Sequence, residues 1–340
     1  MAGGNTVEAR SRPGVALPGS TTPTEARALA AAAEAAGAEA VWVLDVRREP
    51  YLVSMAALEA TTQVEVGVNV AVAFARSPAL TATAAWDLAG ASGGRFVLGL
   101  GSQVGGTLEA RFAVSADHPA PRLRDYVGAV RACFDAYEHG RGYYEGDFYR
   151  LRLPVFQPGA DRDHPRPPVY VAAVNPVMTR VAGAVADGLA AHPFTTLRYV
   201  KEVIRPELAA GASSADREPP LLLLQLVVAP DRESAVKQMT AYCVPAYRRV
   251  LDHAGLGEVA DAIFAANARG DRAQARELVD REVVDQLGVI VAGSAAELKA
   301  SLEPWHSVAD RLSLSVPWYG LEHESQVAAY RGLLELLPAI

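Results

Sequence analysis

The feature that most limits what this chain can fold into is a rhythm. Short apolar runs recur along it, each followed by a segment of helix length. The runs are Pro13–Leu17, Ala40–Leu44, Val64–Val70, Phe96–Leu100, Val169–Ala173, Gly188–His192, Leu221–Val228 and Leu312–Val316. Phe96–Leu100 carries no polar residue on either face, so it reads as a strand buried on both sides, as parallel sheets require. Between the runs lie helical segments at Leu52–Thr61, from Ser77-Pro78 to Gly90, Leu123–His139, Pro176–Ala186 and Leu197–Ala209. The first helix is opened by Thr22-Pro23-Thr24-Glu25, in which Thr22 caps and Glu25 closes a capping box, and Gly37 ends it. Alternation at this spacing means a parallel α/β sheet, and eight such strands close most economically into a (β/α)8 barrel.

Two stretches interrupt the rhythm. Residues 141–167 shift to Tyr, Gly, Asp, Arg and Pro and read as a long loop or short hairpin beside the barrel. Residues 231–305 are strongly helical, with a strand-like run only near Val289–Ala292, and read as a helical insertion before the last strand. Residues 1–12 read as a flexible tail, leaving 13–340 as a single domain, a size that one large α/β barrel fills. No apolar run approaches the roughly 18–20 residues of a membrane span. Cys133 and Cys243 are too few for a disulfide framework, and a net charge of -7 argues against nucleic acid as partner. The expectation is a cytoplasmic protein acting on a small molecule.

In such folds chemistry sits at the C-terminal ends of the strands. The fourth run is entered through Gly93-Gly94 and left through Gly101-Ser102-Gln103, where the backbone can approach a ligand. A dinucleotide fingerprint is excluded, because Gly99-x-Gly101-x-x-x-Gly105 misses its spacing by one residue. Ala172-Ala173-Val174-Asn175-Pro176 is the best phosphate candidate: small residues lead into a helix N-terminus, which offers unpaired N–H groups. His192 ends another strand among small residues, and reads either as a satisfied structural histidine or as a phosphate ligand or proton donor. No His-x-His or His-x-x-x-His pair exists, so no metal site is expected.

Several blocks in this order resemble the luciferase-like monooxygenase superfamily, in its branch that uses the deazaflavin coenzyme F420. They are Asn69-Val70-Ala71-Val72-Ala73-Phe74-Ala75-Arg76-Ser77-Pro78, Ser92–Phe96 through Gly101-Ser102-Gln103, and Val169-Tyr170-Val171-Ala172-Ala173 with Pro176. Ala186-Asp187-Gly188 with His192-Pro193-Phe194 extends the match. The resemblance implies a TIM-like barrel with the cofactor across its C-terminal mouth. It places Asp45 close to the deazaflavin, although Val46 stands where the family commonly has a His. It places Asn69 and Val70 at a bulge or non-proline cis peptide against the ring. Gly101, Ser102 and Gln103 are set beside the ribityl chain or phosphate, and Ala172, Ala173, Val174 and Asn175 around the phosphate.

Asp45 and His192 are the candidates for the proton role, with a capping or salt-bridged carboxylate as the plainer reading of Asp45. Arg47, Arg48 and Arg76 read as anion partners or as solvated loop charge. Tyr143, Tyr144, Phe148 and Tyr149 read as a lid or as packing for their loop, Trp318 as a pocket lining, and Gln225 as a side chain inside the barrel. The activity implied is hydride transfer between deazaflavin C5 and an alcohol, carbonyl, imine or activated alkene. An FMN-dependent monooxygenase and a non-catalytic flavin-binding relative are the alternatives, and a homodimer is expected.

Overall fold

The computed structural model describes residues 12–153 and 164–340. Eight parallel strands form the barrel: β1 Gly14–Ala16, β2 Ala40–Val43, β3 Glu65–Val68, β4 Phe96–Gly101, β5 Val169–Ala173, β6 Gly188–Ala191, β7 Leu221–Ala229 and β8 Arg311–Ser315. Each pairs with the next, and β8 returns to β1 through Gly14↔Ser313 and Val15↔Leu314, so the sheet closes. The architecture is the TIM-like (β/α)8 barrel that the rhythm predicts.

The outward face of the strands (Val15, Val41, Val66, Leu98, Leu224, Leu314) packs under the surrounding helices in one large core. The first helix, Pro23–Ala35, begins with the expected capping box, Thr22 and Glu25 each bonding the other's backbone N–H. Strand β7 runs to nine residues because it serves three partners. Its lower half pairs with β6, its middle with β8, and Val227–Ala229 pair with Val289–Val291, the strand-like run of the helical insertion.

Of the stretch 141–167, residues 154–163 lie outside the described residues, as does nearly all of the N-terminal tail. Before them the chain forms an antiparallel hairpin, Gly142–Glu145 with Arg150–Leu153. Asp125 fastens it to the helix Pro119–His139, accepting from the Tyr144 hydroxyl at 2.5 Å and from the Phe148 and Tyr149 N–H groups at 2.6 and 2.9 Å. Three of the four aromatic positions of this loop are thus engaged in holding it down. One helix, Gly105–Phe112, has no counterpart in the sequence reading; it opens on two glycines with no side-chain cap. Among the described residues no helix is long and apolar enough to cross a membrane.

The N-terminal end of the barrel is plugged. Trp42 and Tyr170 fill the interior, their ring centroids 6.1 Å apart, with Ala16, Ala40, Val97 and Leu223 around them. Space for them comes from glycines on neighbouring strands. A Cβ on Gly67 would stand 2.4 Å from the Trp42 ring, and one on Gly188 would stand 2.5 Å from the Tyr170 ring. Beneath the rings Arg311 bridges Glu39 and Glu65, at 2.5 Å to each, with its guanidinium 6.0 Å from the Trp42 ring centroid.

Candidate active site

The opposite end of the barrel is open, and its geometry starts from a slip in register. Val66 pairs with Phe96 and Gly67 with Val97, but further on Ala71 pairs with Leu100 and Val72 with Gly101. The β3 side therefore carries one residue more than β4, a bulge at Asn69-Val70, and the peptide bond between these two is cis. The glycines of β4 make room for it. A Cβ on Gly99 would lie 2.0 Å from the Val68 carbonyl oxygen, and one on Gly101 would lie 2.7 Å from Val70 Cγ2 and 3.4 Å from Ala172 Cβ. Val70, Gly101 and Ala172, from three separate segments, thus meet in one small-residue patch. Asn69 Nδ2 reaches across the mouth and donates to Gln225 Oε1 on β7 at 3.1 Å.

Asp45, just past β2, is buried and fully engaged on one oxygen. Its Oδ2 accepts the Val72 N–H at 3.0 Å and Arg76 Nη1 at 2.8 Å. Arg76 also donates to Glu49 at 2.9 Å, so it is neither a solvated charge nor a free anion partner. The acid thereby ties the exit of β2 to the backbone immediately after the bulge. Arg47 and Arg48 are exposed.

Ser102 and Gln103 make mostly local bonds. Gln103 sits at φ 62° and its Oε1 accepts the N–H of Val104 at 2.9 Å. On β5 the Ala172–Asn175 turn leads into the helix Pro176–Val185, whose first turn has no side-chain cap. Asn175 Nδ2 donates to the Ala246 carbonyl at 3.0 Å, while its Oδ1 is buried without a partner. Val174 offers its carbonyl to the Tyr199 hydroxyl at 3.1 Å. A cradle of small residues, an uncapped helix N-terminus and an orphaned acceptor suit a ligand bearing both an anionic group and hydroxyls.

His192, past the end of β6, has its tautomer set by the backbone. Its Nδ1 accepts the N–H of Phe194 at 3.0 Å, so in the neutral ring Nε2 carries the hydrogen. The ring is enclosed by Tyr242 and Tyr247, with centroids at 4.5 and 4.8 Å. Burial pushes its pKa down to about 3. Near neutral pH it is an uncharged imidazole whose Nε2–H is a hydrogen-bond donor. Among the described residues no hydrogen bond joins it to Asp45; the two stand at different parts of the rim.

The sequence reading singled out Trp318 but not its company. Trp318 and Tyr319 stack at 3.8 Å, Tyr242 meets Tyr319 edge-on at 6.0 Å, and Trp318 Nε1 lies 3.3 Å from the Tyr242 hydroxyl. These residues come from two distant segments, and only the adjacent Trp-Tyr pair after the last strand is a signal visible in the sequence.

Comparison with known proteins bears on the family and the fold. The family model for luciferase-like monooxygenases matches residues 6–311. An uncharacterized protein of Mycobacterium tuberculosis is 35% identical over 276 residues, spanning 77% of this chain and 81% of that protein. A 5,10-methylenetetrahydromethanopterin reductase of Archaeoglobus fulgidus is 28% identical over 269 residues, spanning 74% of this chain and 77% of its own length. The solved coenzyme F420 dependent tetrahydromethanopterin reductase of Methanopyrus kandleri superposes with a TM-score of 0.77 at 21% identity, over 97% of this chain and 99% of that one. The oxygenating constituent of a Pseudomonas putida 3,6-diketocamphane monooxygenase, solved with FMN, gives a TM-score of 0.64 at 15% identity over 97% of each chain. With the family model matching residues 6–311, from before the first strand to the first residue of the eighth, the chain belongs to the luciferase-like monooxygenase family and is an oxidoreductase.

Proposed function

We propose that this enzyme is an F420-dependent oxidoreductase of small organic substrates. The observation that carries the reading is the mouth itself. The bulge at Asn69-Val70, packed on glycines and tied to Gln225, lies next to the Ala172–Asn175 turn, which leads into an uncapped helix N-terminus with an orphaned acceptor at Asn175. The named relatives add the cofactor class, since the Methanopyrus kandleri reductase is described as F420 dependent.

When bound, the deazaflavin supplies or accepts a hydride at C5; the remaining work falls to the protein. Asn69 and Val70 would support the ring, Gly101, Ser102 and Gln103 the ribityl chain, and Ala172, Ala173, Val174 and Asn175 the phosphate. Asp45 holds the post-bulge backbone through the Val72 N–H and Arg76. His192, neutral and with its hydrogen on Nε2, donates to the substrate oxygen or nitrogen as charge develops there. The reading extends to a homodimer in the cytoplasm, which light scattering on the purified protein tests in its first part.

FMN-dependent oxygenation is the second reading, favoured by the equally complete superposition on the FMN-bound monooxygenase. Titrating the protein with F420 and with FMN, while following quenching of each cofactor's fluorescence, separates the two. Tight FMN binding with no F420 binding sinks the first.

A further inference from the structure

The β6–β8 side of the mouth carries four aromatic residues, Tyr242, Tyr247, Trp318 and Tyr319, that the hydride chemistry leaves unused. Tyr242 ends the helix Arg232–Tyr242, Tyr247 follows it, and Trp318 and Tyr319 stand just past β8. Together with His192 they make a continuous aromatic wall, none of it fully exposed and none of it as buried as the core. Tyr319 is 38% exposed. Burial pushes the phenols of Tyr242 and Tyr247 up, the latter to about 12, so both rings stay neutral.

The wall is also held rigidly. Gln238 is fully buried, and its Oε1 accepts both the Trp318 and the Tyr319 N–H, at 2.8 and 3.0 Å. Gln326 Nε2 donates to the Leu321 carbonyl at 2.9 Å and secures the far end of the same loop. One buried amide that takes two successive backbone N–H groups fixes the direction in which the stacked pair faces. Aromatic faces set in advance favour a planar partner, because offset stacking and edge contacts add attraction that a puckered ring of equal size does not receive. The His192 ring packs against Tyr242 and Tyr247 of this wall, and its Nε2–H is a donor that suits a carbonyl oxygen.

Resting on the hydride-transfer reading of this mouth, we propose that the wall is the substrate platform and selects conjugated planar carbonyls. An aromatic aldehyde would lie on Trp318, Tyr319 and Tyr242, and Gln238 is the positioning residue. In the reductive direction the carbonyl carbon would take up the hydride that reduced deazaflavin supplies and the oxygen a proton from solvent, while the cofactor's remaining proton returns to solvent, giving the alcohol and the oxidised cofactor.

Benzaldehyde and cyclohexanecarbaldehyde, alike in size but not in planarity, test this with reduced F420 as hydride source. Benzaldehyde is expected to show a KM about tenfold lower. Trp318→Ala removes that preference, Trp318→Phe retains it, and both leave F420 affinity within about twofold. Gln238→Leu raises the benzaldehyde KM while kcat holds, a split that general loss of folding does not give. Equal KM values in the unaltered enzyme, or a parallel shift of both substrates in Trp318→Ala, overturn the platform. Loss of F420 affinity in Trp318→Ala also overturns it, since the wall then belongs to the cofactor. Saturation-transfer NMR of the two aldehydes on the protein reads the same preference without turnover. Selective contact with benzaldehyde that Trp318→Ala abolishes supports the wall even if F420 fails to bind, an outcome that sinks only the cofactor reading.

Discussion

The two ends of the barrel solve opposite problems with similar residues. At the floor, aromatic rings are sunk completely: Trp42 is 1% and Tyr170 3% exposed, and glycines on other strands are shaped around them. At the mouth, Trp318 and Tyr319 stack on each other and keep part of their surface open. Charge is paired at both ends. The floor neutralises Arg311 with Glu39 and Glu65 and the mouth neutralises Arg76 with Asp45 and Glu49, but the mouth also holds an uncharged imidazole at His192. The floor is built for cohesion, and under the proposed function the mouth is built for contact with cofactor and substrate.

Substitutions can break or sharpen this contrast. The largest effect on stability is expected at the floor, where Trp42→Ala should cost about 3–5 kcal/mol in urea unfolding. A loss below about 1 kcal/mol would mean that the plug is not structural. Next comes Arg311→Met, which strands Glu39 and Glu65. Their partial exposure reduces the penalty of an unpaired buried charge to about 1–2 kcal/mol, read from the same unfolding curves. Smaller still in stability is Gln225→Leu, which leaves Asn69 Nδ2 without its acceptor at a cost of about 1 kcal/mol. Its main consequence should be weaker cofactor binding, by about tenfold, and mouth variants that lose stability as heavily as floor variants would erase the division.

The smallest effect at neutral pH, and the most specific, is His192→Asn. The folded pKa lies below the unfolded one, so the unfolded chain binds the extra proton between pH 6.5 and about 3. The native protein therefore loses stability as pH falls through that window and keeps it above. The variant should lack this part of the acid loss in thermal melts recorded from pH 7 to pH 4.

Much of the fold was readable because strand and helix periodicities are local. The eight strands, the capping box at Thr22 and Glu25, and the strand within the insertion all follow from neighbours in sequence. The exit of β4 was readable as special but not for its full reason. Gly99 and Gly101 accommodate a bulge that lies some thirty residues earlier on another strand. Asp45 likewise looked like a site acid, while its partner Arg76 becomes visible only once β2 and the post-bulge segment lie side by side. The helix Gly105–Phe112 escaped because a glycine-led start with no cap carries no local signal. The aromatic wall escaped for another reason: helix ends and a strand exit far apart in the chain are brought together only by closure of the barrel.

The stopper of Trp42 and Tyr170 also has a kinetic consequence. A bore sealed at one end has a single doorway, so whatever lies deepest must enter first and leave last. Two ligands sharing this mouth would follow a compulsory order, and product inhibition patterns would report which of them sits beneath the other.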